Sequence, residues 1–271
     1  MNDMAKSVDM KALFKKLVRE YSFILSLILL LIIATAVNPN FFSWNNITNI
    51  FVQSSMVGLI AMGMSMVISA GQIDISVGAQ VAIIGGFGIE VLNSTRSVFL
   101  MLLFCCGFGL VIGTVNGLLV TKGHMPAMIA TLAMQSACRS IINHFGSGGP
   151  FTVDKELYES FRMLAVGGIG PEGFQIPYLM LIFIAAGILF HVIMKHTKLG
   201  KHIYAVGSNE TSARLAGINV DFVKTIIFSI TGLMCGLAAV IYASRMTAVA
   251  ASSAAVNYEM DAIAAVAIGG T

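Results

Sequence analysis

An all-α, polytopic membrane protein is the architecture this chain encodes, on three grounds. First, its 271 residues are 57% hydrophobic but only 11% charged, whereas ordinary globular domains are about 25% charged. A soluble core does not account for that gap; several long apolar segments do. Second, the apolar stretches recur, at 21–37, 50–70, 76–92, 98–120, 126–143, 177–194 and 222–242, with an eighth opening near Tyr258. Each full stretch has roughly 17–23 residues, enough to cross about 30 Å of hydrocarbon as a helix. Barrel strands would alternate over about 10 residues. Third, the charges between the stretches are biased from one side to the other.

The head, 1–20, carries Lys6, Lys11, Lys15, Lys16 and Arg19, which places the N terminus in the cytoplasm. Stretch 21–37 lacks a small-residue cleavage pattern and reads as a retained span, not a signal sequence. Asn38-Pro39-Asn40 is a turn. Between the second and third spans the apolar pattern is interrupted by Ser69-Ala70-Gly71-Gln72-Ile73-Asp74-Ile75-Ser76. An unpaired Asp in a bilayer costs about 2.5–3.5 kcal/mol, so Asp74 needs water, a partner or backbone N–H groups. The patch is open to reading as a loop, a site or a hinge.

Within 58–66, Gly58, Met62, Gly63, Met64 and Met66 either line a cavity or pack. Glu90 and Arg96 flank an expected outer turn, Asn93-Ser94-Thr95. Gly109, Gly113 and Gly117 share one helix face and predict a close helix–helix contact. Lys122-Gly123-His124-Met125-Pro126 reads as a tight inner loop, with Pro126 starting the next helix. On that helix Gln135 and Arg139 lie one turn apart. With Gln53 and Asn116 they put polar groups inside spans, either along a path for a polar solute or as links between helices.

Segment 144–176 carries Asp154, Glu156, Glu159 and Glu172 against Lys155 and Arg162, and is assigned to the outer, periplasmic side. Its piece 154–165 is expected to form an amphipathic helix on the membrane, and the loop is a candidate docking surface for a soluble outer partner. After six crossings the chain should be inside again, where 195–221 and its flank carry Lys195, Lys198, Lys201, Arg214 and Lys224. There a short helix is predicted over 208–217. Ser208 or Asn209 caps it, Glu210 sits in its first turn and Gly217 ends it. Ala213, Leu215 and Ala216 offer a compact knob. This helix is either an ordinary loop element or the rigid piece by which a soluble motor moves the membrane part.

No Walker A, HExxH or Ser/His/Asp arrangement occurs, so an energy source, if there is one, must lie on another chain. Cys105, Cys106, Cys138 and Cys235 lie in apolar stretches as small buried hydrophobes. The histidines show no metal spacing. The basic residues read as topology signals rather than a nucleic-acid footprint.

Four stretches carry a family resemblance: 71–78 (Gly-Gln-Ile-Asp-Ile-Ser-Val-Gly), 126–134 (Pro-Ala-Met-Ile-Ala-Thr-Leu-Ala-Met), 200–218 and 258–271. In family order, they resemble the permease subunits of bacterial ABC importers for ribose and related sugars, the branched-chain-type membrane component family. The resemblance implies a bacterial inner-membrane subunit working as a dimer with a second copy or a close paralogue. ABC ATPase chains dock beneath it and a periplasmic sugar-binding protein delivers from above. ATP would bind the partner ATPase, with no cofactor on this chain. The ATPase contact would fall on Asn209, Glu210, Ala213, Arg214, Leu215, Ala216 and Gly217. Candidate path residues are Gln53, Asp74, Asn116, Gln135 and Arg139, with Asp74 expected to fix an interrupted helix through backbone N–H groups rather than to bind sugar.

Two features depart from the pattern. The family commonly has two glycines before Ile-Asp, where this chain has Gly71-Gln72. Members also continue past Gly269-Gly270-Thr271, so a C-terminally truncated form is expected, with about eight of about ten spans. The expected function is ATP-driven import of a monosaccharide such as ribose. The competing readings are an ion-coupled secondary transporter using Asp74, and a non-transporting scaffold or inactive fragment.

Overall fold

The computed structural model describes residues 10–171 and 174–270. Residues 1–9 of the basic head, Glu172 and Thr271 lie outside them. The chain divides into two compact units, Met1–Asn49 and Ile50–Thr271. In the first, α1 (Met10–Val37) runs to the expected turn. There Asn46 Nδ2 donates to the Phe41 carbonyl (2.7 Å), and Phe41 meets Phe42 edge-on at 5.3 Å.

The second unit takes in most of α2 (Trp44–Ser69) and then α3 (Val77–Thr95), α4 (Val98–Thr121), α5 (Ala127–Phe145), α6 (Lys155–Val166) and α7 (Tyr178–His196). It continues through α8 (Lys198–Ser208), α9 (Glu210–Leu215), α10 (Val220–Met246) and α11 (Tyr258–Ile268). Every apolar stretch named from sequence falls on a helix. Among the described residues, α2, α3, α4, α7 and α10 are long and apolar enough to cross a membrane, and Ile24–Val37 is a shorter apolar run. The protein is thus an all-α polytopic membrane protein. Helix α5 carries Gln135, Ser136, Arg139 and Ser140, which lowers its hydropathy. Helix α11 has 11 residues, about 16 Å of rise, roughly half the hydrocarbon core.

Helices α3 and α10 form the interior, and α4 and α7 turn apolar faces outward. The glycine face of α4 lies on α10. A Cβ on Gly109 would strike the Gly232 carbonyl oxygen, one on Gly113 the Phe228 carbonyl oxygen, and one on Gly117 the Thr225 backbone. The backbones are therefore in contact, as small-residue packing in a bilayer requires. The hydroxyls of Thr114 and Ser229 join the same seam at 2.8 Å. The methionine stripe of α2 packs: Met64 and Met66 are buried, and Gly63 abuts Thr231. Three cysteines are buried as expected; Cys106 is partly exposed.

The end of the bundle that carries 93–97 and 144–171 differs from expectation. Asn93-Ser94-Thr95 is no turn, because α3 continues through it. The Ser94 and Thr95 hydroxyls bond back to the Glu90 and Val91 carbonyls at 2.6 and 2.7 Å, so these residues stay in helix. The chain reverses only at Arg96, at φ 54. The amphipathic helix expected over 154–165 forms as α6, which packs Phe161 and Ala165 inward against α10. Two short sheets form. β1 (Pro150–Thr152) pairs antiparallel with β4 (Ala248–Ala250), Phe151 opposite Val249, and β2 (Gly168–Ile169) pairs with β3 (Ile176–Pro177).

Candidate functional site

The interruption at 69–76 is built from two local devices. Helix α2 ends in a Schellman motif: Gln72 N donates to the Val67 carbonyl and Gly71 N to the Ile68 carbonyl, both at 2.9 Å. Gly71 takes the left-handed position, at φ +73, where a Cβ is strained. Gln72 has no such requirement, so the departure from two glycines is conformationally neutral here. An Asx turn follows, in which Asp74 Oδ1 accepts from Ser76 N at 2.9 Å, and α3 starts at the next residue.

Asp74 is fully buried. Its Oδ1 also accepts from Ser76 Oγ at 2.6 Å. The Ser76 hydroxyl in turn accepts from Gln80 Nε2 (2.8 Å) and Asn116 Nδ2 (2.9 Å). A hydroxyl has one donor and two acceptor sites, and all three are used. Thr131 Oγ1 accepts from Ile75 N at 3.2 Å, which ties α5 to the same turn. Three helices thus meet on one polar knot. Among the described residues Asp74 forms no ion pair, and its Oδ2 has no partner.

Of the five path candidates, the structure brings Asp74 and Asn116 together through Ser76. Gln53 lies on an exposed face of α2, and Gln135 and Arg139 are partly exposed on α5. Arg139 Nη1 is buried without a partner. Sequence reasoning missed Ser76 as the partner of Asp74, and Gln80 and Thr131 as members of the same knot. The available signal was spacing: Gln80 lies one helical turn past Ser76, and Thr131 is in the second turn after Pro126.

At the same end of α2, α8 and α9 form the charged segment. Asn209 Oδ1 accepts from Ser212 N at 2.8 Å and so caps α9. Gly217, at φ +82, lets the chain leave it. Glu210 binds Lys224 Nζ at 2.7 Å and Arg214 at 3.2 Å. Arg214 also binds Asp221 at 2.7 Å. The ammonium of Lys224 holds the Glu210 carboxyl below its ordinary range, as a bonded opposite charge should. Lys224 is largely buried on α10, so this pair fastens α9 to a membrane helix. Leu215 is 86% exposed, whereas Ala213 is buried; the knob therefore consists of Leu215 and Ala216. Helix α8 meets the interruption directly, since a Cβ on Gly207 would strike the Ser69 carbonyl oxygen.

A model of the family described as branched-chain amino acid transport system / permease component matches residues 46–271. The ribose import permease protein RbsC of Escherichia coli K12 is 37% identical over 259 residues, covering 93% of this chain and 77% of the relative. RbsC of Bacillus subtilis 168 is 37% identical over 247 residues, 91% and 75% of the two chains. The L-arabinose transport system permease protein AraH of E. coli K12 is 30% identical over 257 residues, 95% and 76%. No solved structure matches. The chain belongs to the branched-chain amino acid transport system / permease component family, as an ABC sugar importer permease, a transporter subunit rather than an enzyme.

Proposed function

We propose that this chain is the membrane subunit of an ATP-driven importer that moves a monosaccharide such as ribose across the bacterial inner membrane. In this reading the N terminus, α8 and α9 face the cytoplasm, and 144–176 faces the periplasm, where a sugar-binding protein docks. The path lies between two permease copies. Asp74 is architectural: it holds the α2–α3 turn closed around Ser76. ATP binds and is hydrolysed on a partner ATPase seated on α9.

The observation that carries this reading is the construction of α9. It is a short capped helix with a fully presented leucine, clamped to α10 through Glu210 and Lys224. A helix so exposed and so firmly fastened is suited to receive a push and pass it inward. The test is co-purification of the ATPase with Leu215→Asp. Loss of association with the permease still folded is expected. Undiminished association removes α9 from the interface. Uptake that persists without ATP hydrolysis and collapses with an ion gradient would replace this reading by an ion-coupled one.

A further inference from the structure

We propose that the turn between α2 and α3 holds a small monovalent cation, sodium or potassium, on Asp74 Oδ2, Gln80 Oε1 and Asn116 Oδ1. The ion is a fixed part of the turn, whichever solute the permease carries, and takes no part in driving transport.

Asp74, Ser76, Gln80 and Asn116 are each 0% exposed. Around Ser76 Oγ stand Asp74 Oδ1 at 2.6 Å, Gln80 Nε2 at 2.8 Å and Asn116 Nδ2 at 2.9 Å. Each of these side chains ends in a second polar atom, and all three of those atoms are oxygens. Asp74 Oδ2, Gln80 Oε1 and Asn116 Oδ1 are buried, and none has a hydrogen-bond partner among the described residues. The two end atoms of a carboxylate or an amide stand about 2.3 Å apart. Each oxygen therefore lies within about 5 Å of Ser76 Oγ. Both amides already spend an N–H on Ser76, so their oxygens are the ends left for a ligand. The last torsions of Gln80 and Asn116 are broad, which lets those oxygens close on it.

Three acceptors and one buried negative charge define what fits. Left unmet, each acceptor is costly, the carboxylate most of all. A water has two hydrogens to give, one short of three acceptors, and leaves the charge in place. A proton on Asp74 removes the charge but supplies one donor for two amide oxygens. A small cation meets all three oxygens and neutralises the carboxylate. One carboxylate balances one positive charge, whereas calcium sites gather more oxygen ligands and more charge. Among the described residues no three His, Cys, Asp or Glu side chains come together to hold a metal ion. A polar cavity of about 340 Å³ flanks the turn, with Gln72, Ala127, Glu210, Arg214, Asp221 and Lys224 in its lining. Gln72 is two residues from Asp74. Ala127 is one helical turn before Thr131, whose hydroxyl accepts from Ile75 N. The cavity thus gives an ion an approach to the turn from the side of α9.

The test uses the full chain purified in detergent at neutral pH, in the chloride salt of sodium, potassium or choline at one ionic strength. Sodium or potassium in place of choline should raise the unfolding midpoint saturably, by about 5 °C once the ion is at about 100 times its Kd. Asp74→Asn keeps an acceptor for Ser76 and removes the charge, so its midpoint should no longer distinguish the salts. The radioactive form of the stabilising ion should bind the unaltered chain and saturate at one ion per chain, a readout that does not depend on any variant folding. A midpoint equal in all three salts, or a difference between salts that Asp74→Asn retains, overturns the site. So does a midpoint that ignores the cation and rises on acidification, which would give the place to a proton.

Discussion

At the scale of single residues, the molecule turns on how Ser76 is shared. Its hydroxyl satisfies Asp74 and receives two side-chain amides. Ser76→Ala leaves those amides without their acceptor and strips one bond from a buried carboxylate. The expected cost is about 1–3 kcal/mol per group left unsatisfied, read as a lower unfolding midpoint in detergent; an unchanged midpoint would mean that the knot is slack. Gly71 and Gln72 separate backbone need from side-chain tolerance. Gly71→Ala should cost about 1 kcal/mol, because only position 71 is left-handed, while Gln72→Gly should leave stability nearly unchanged. The anomaly of Asp74 was legible in the sequence because a carboxylate between apolar runs has few solutions. Its partner Asn116 was not, since 40 residues separate it from Ser76 and no local pattern joins them.

At the scale of elements, the α4–α10 seam and the α9 clamp do different work. Gly113→Val drives a branched side chain into the Phe228 carbonyl, where backbone cannot yield. A loss of about 1–3 kcal/mol or more is expected, seen as weaker hydrogen-exchange protection along α4 and α10 together. The clamp is pH-dependent. The Glu210 carboxyl is held below its ordinary value of 4.5, so its contribution is fully present above that value. It is lost as pH falls through the lower, folded value. Protection of α9 amides, relative to their intrinsic exchange rates, should fall below about pH 4.5 in the wild type, and Lys224→Met should lower protection at neutral pH and flatten that dependence. The helices, the glycine seam and the Asn209 cap were readable from period and spacing. The β1–β4 pair was not: it joins the short strands Pro-Phe-Thr and Ala-Val-Ala from loops about a hundred residues apart, too short for their alternation to stand out from sequence. The continuation of α3 through Asn93-Ser94-Thr95 was also hidden, because hydroxyls that favour turns instead bond back along the helix.

At the scale of the whole molecule, two connections run from the charged segment to the buried turn. One is direct, from Gly207 of α8 to Ser69 at the end of α2. The other runs from Glu210 to Lys224 on α10, across the glycine seam to α4, and through Asn116 to Ser76. In the proposed reading, a displacement of α9 would reach the turn that holds Asp74 from two sides. Motion of packed elements between discrete arrangements is the means by which such a push can open or close a path. The decisive measurement is ribose uptake into proteoliposomes holding the permease, its ATPase and its sugar-binding protein, with wild type and Leu215→Asp compared in the presence and absence of ATP. The account predicts uptake by wild type only when ATP is hydrolysed, and loss of uptake together with ATPase association in Leu215→Asp. Equal uptake by both proteins, or uptake that ignores ATP, would contradict it.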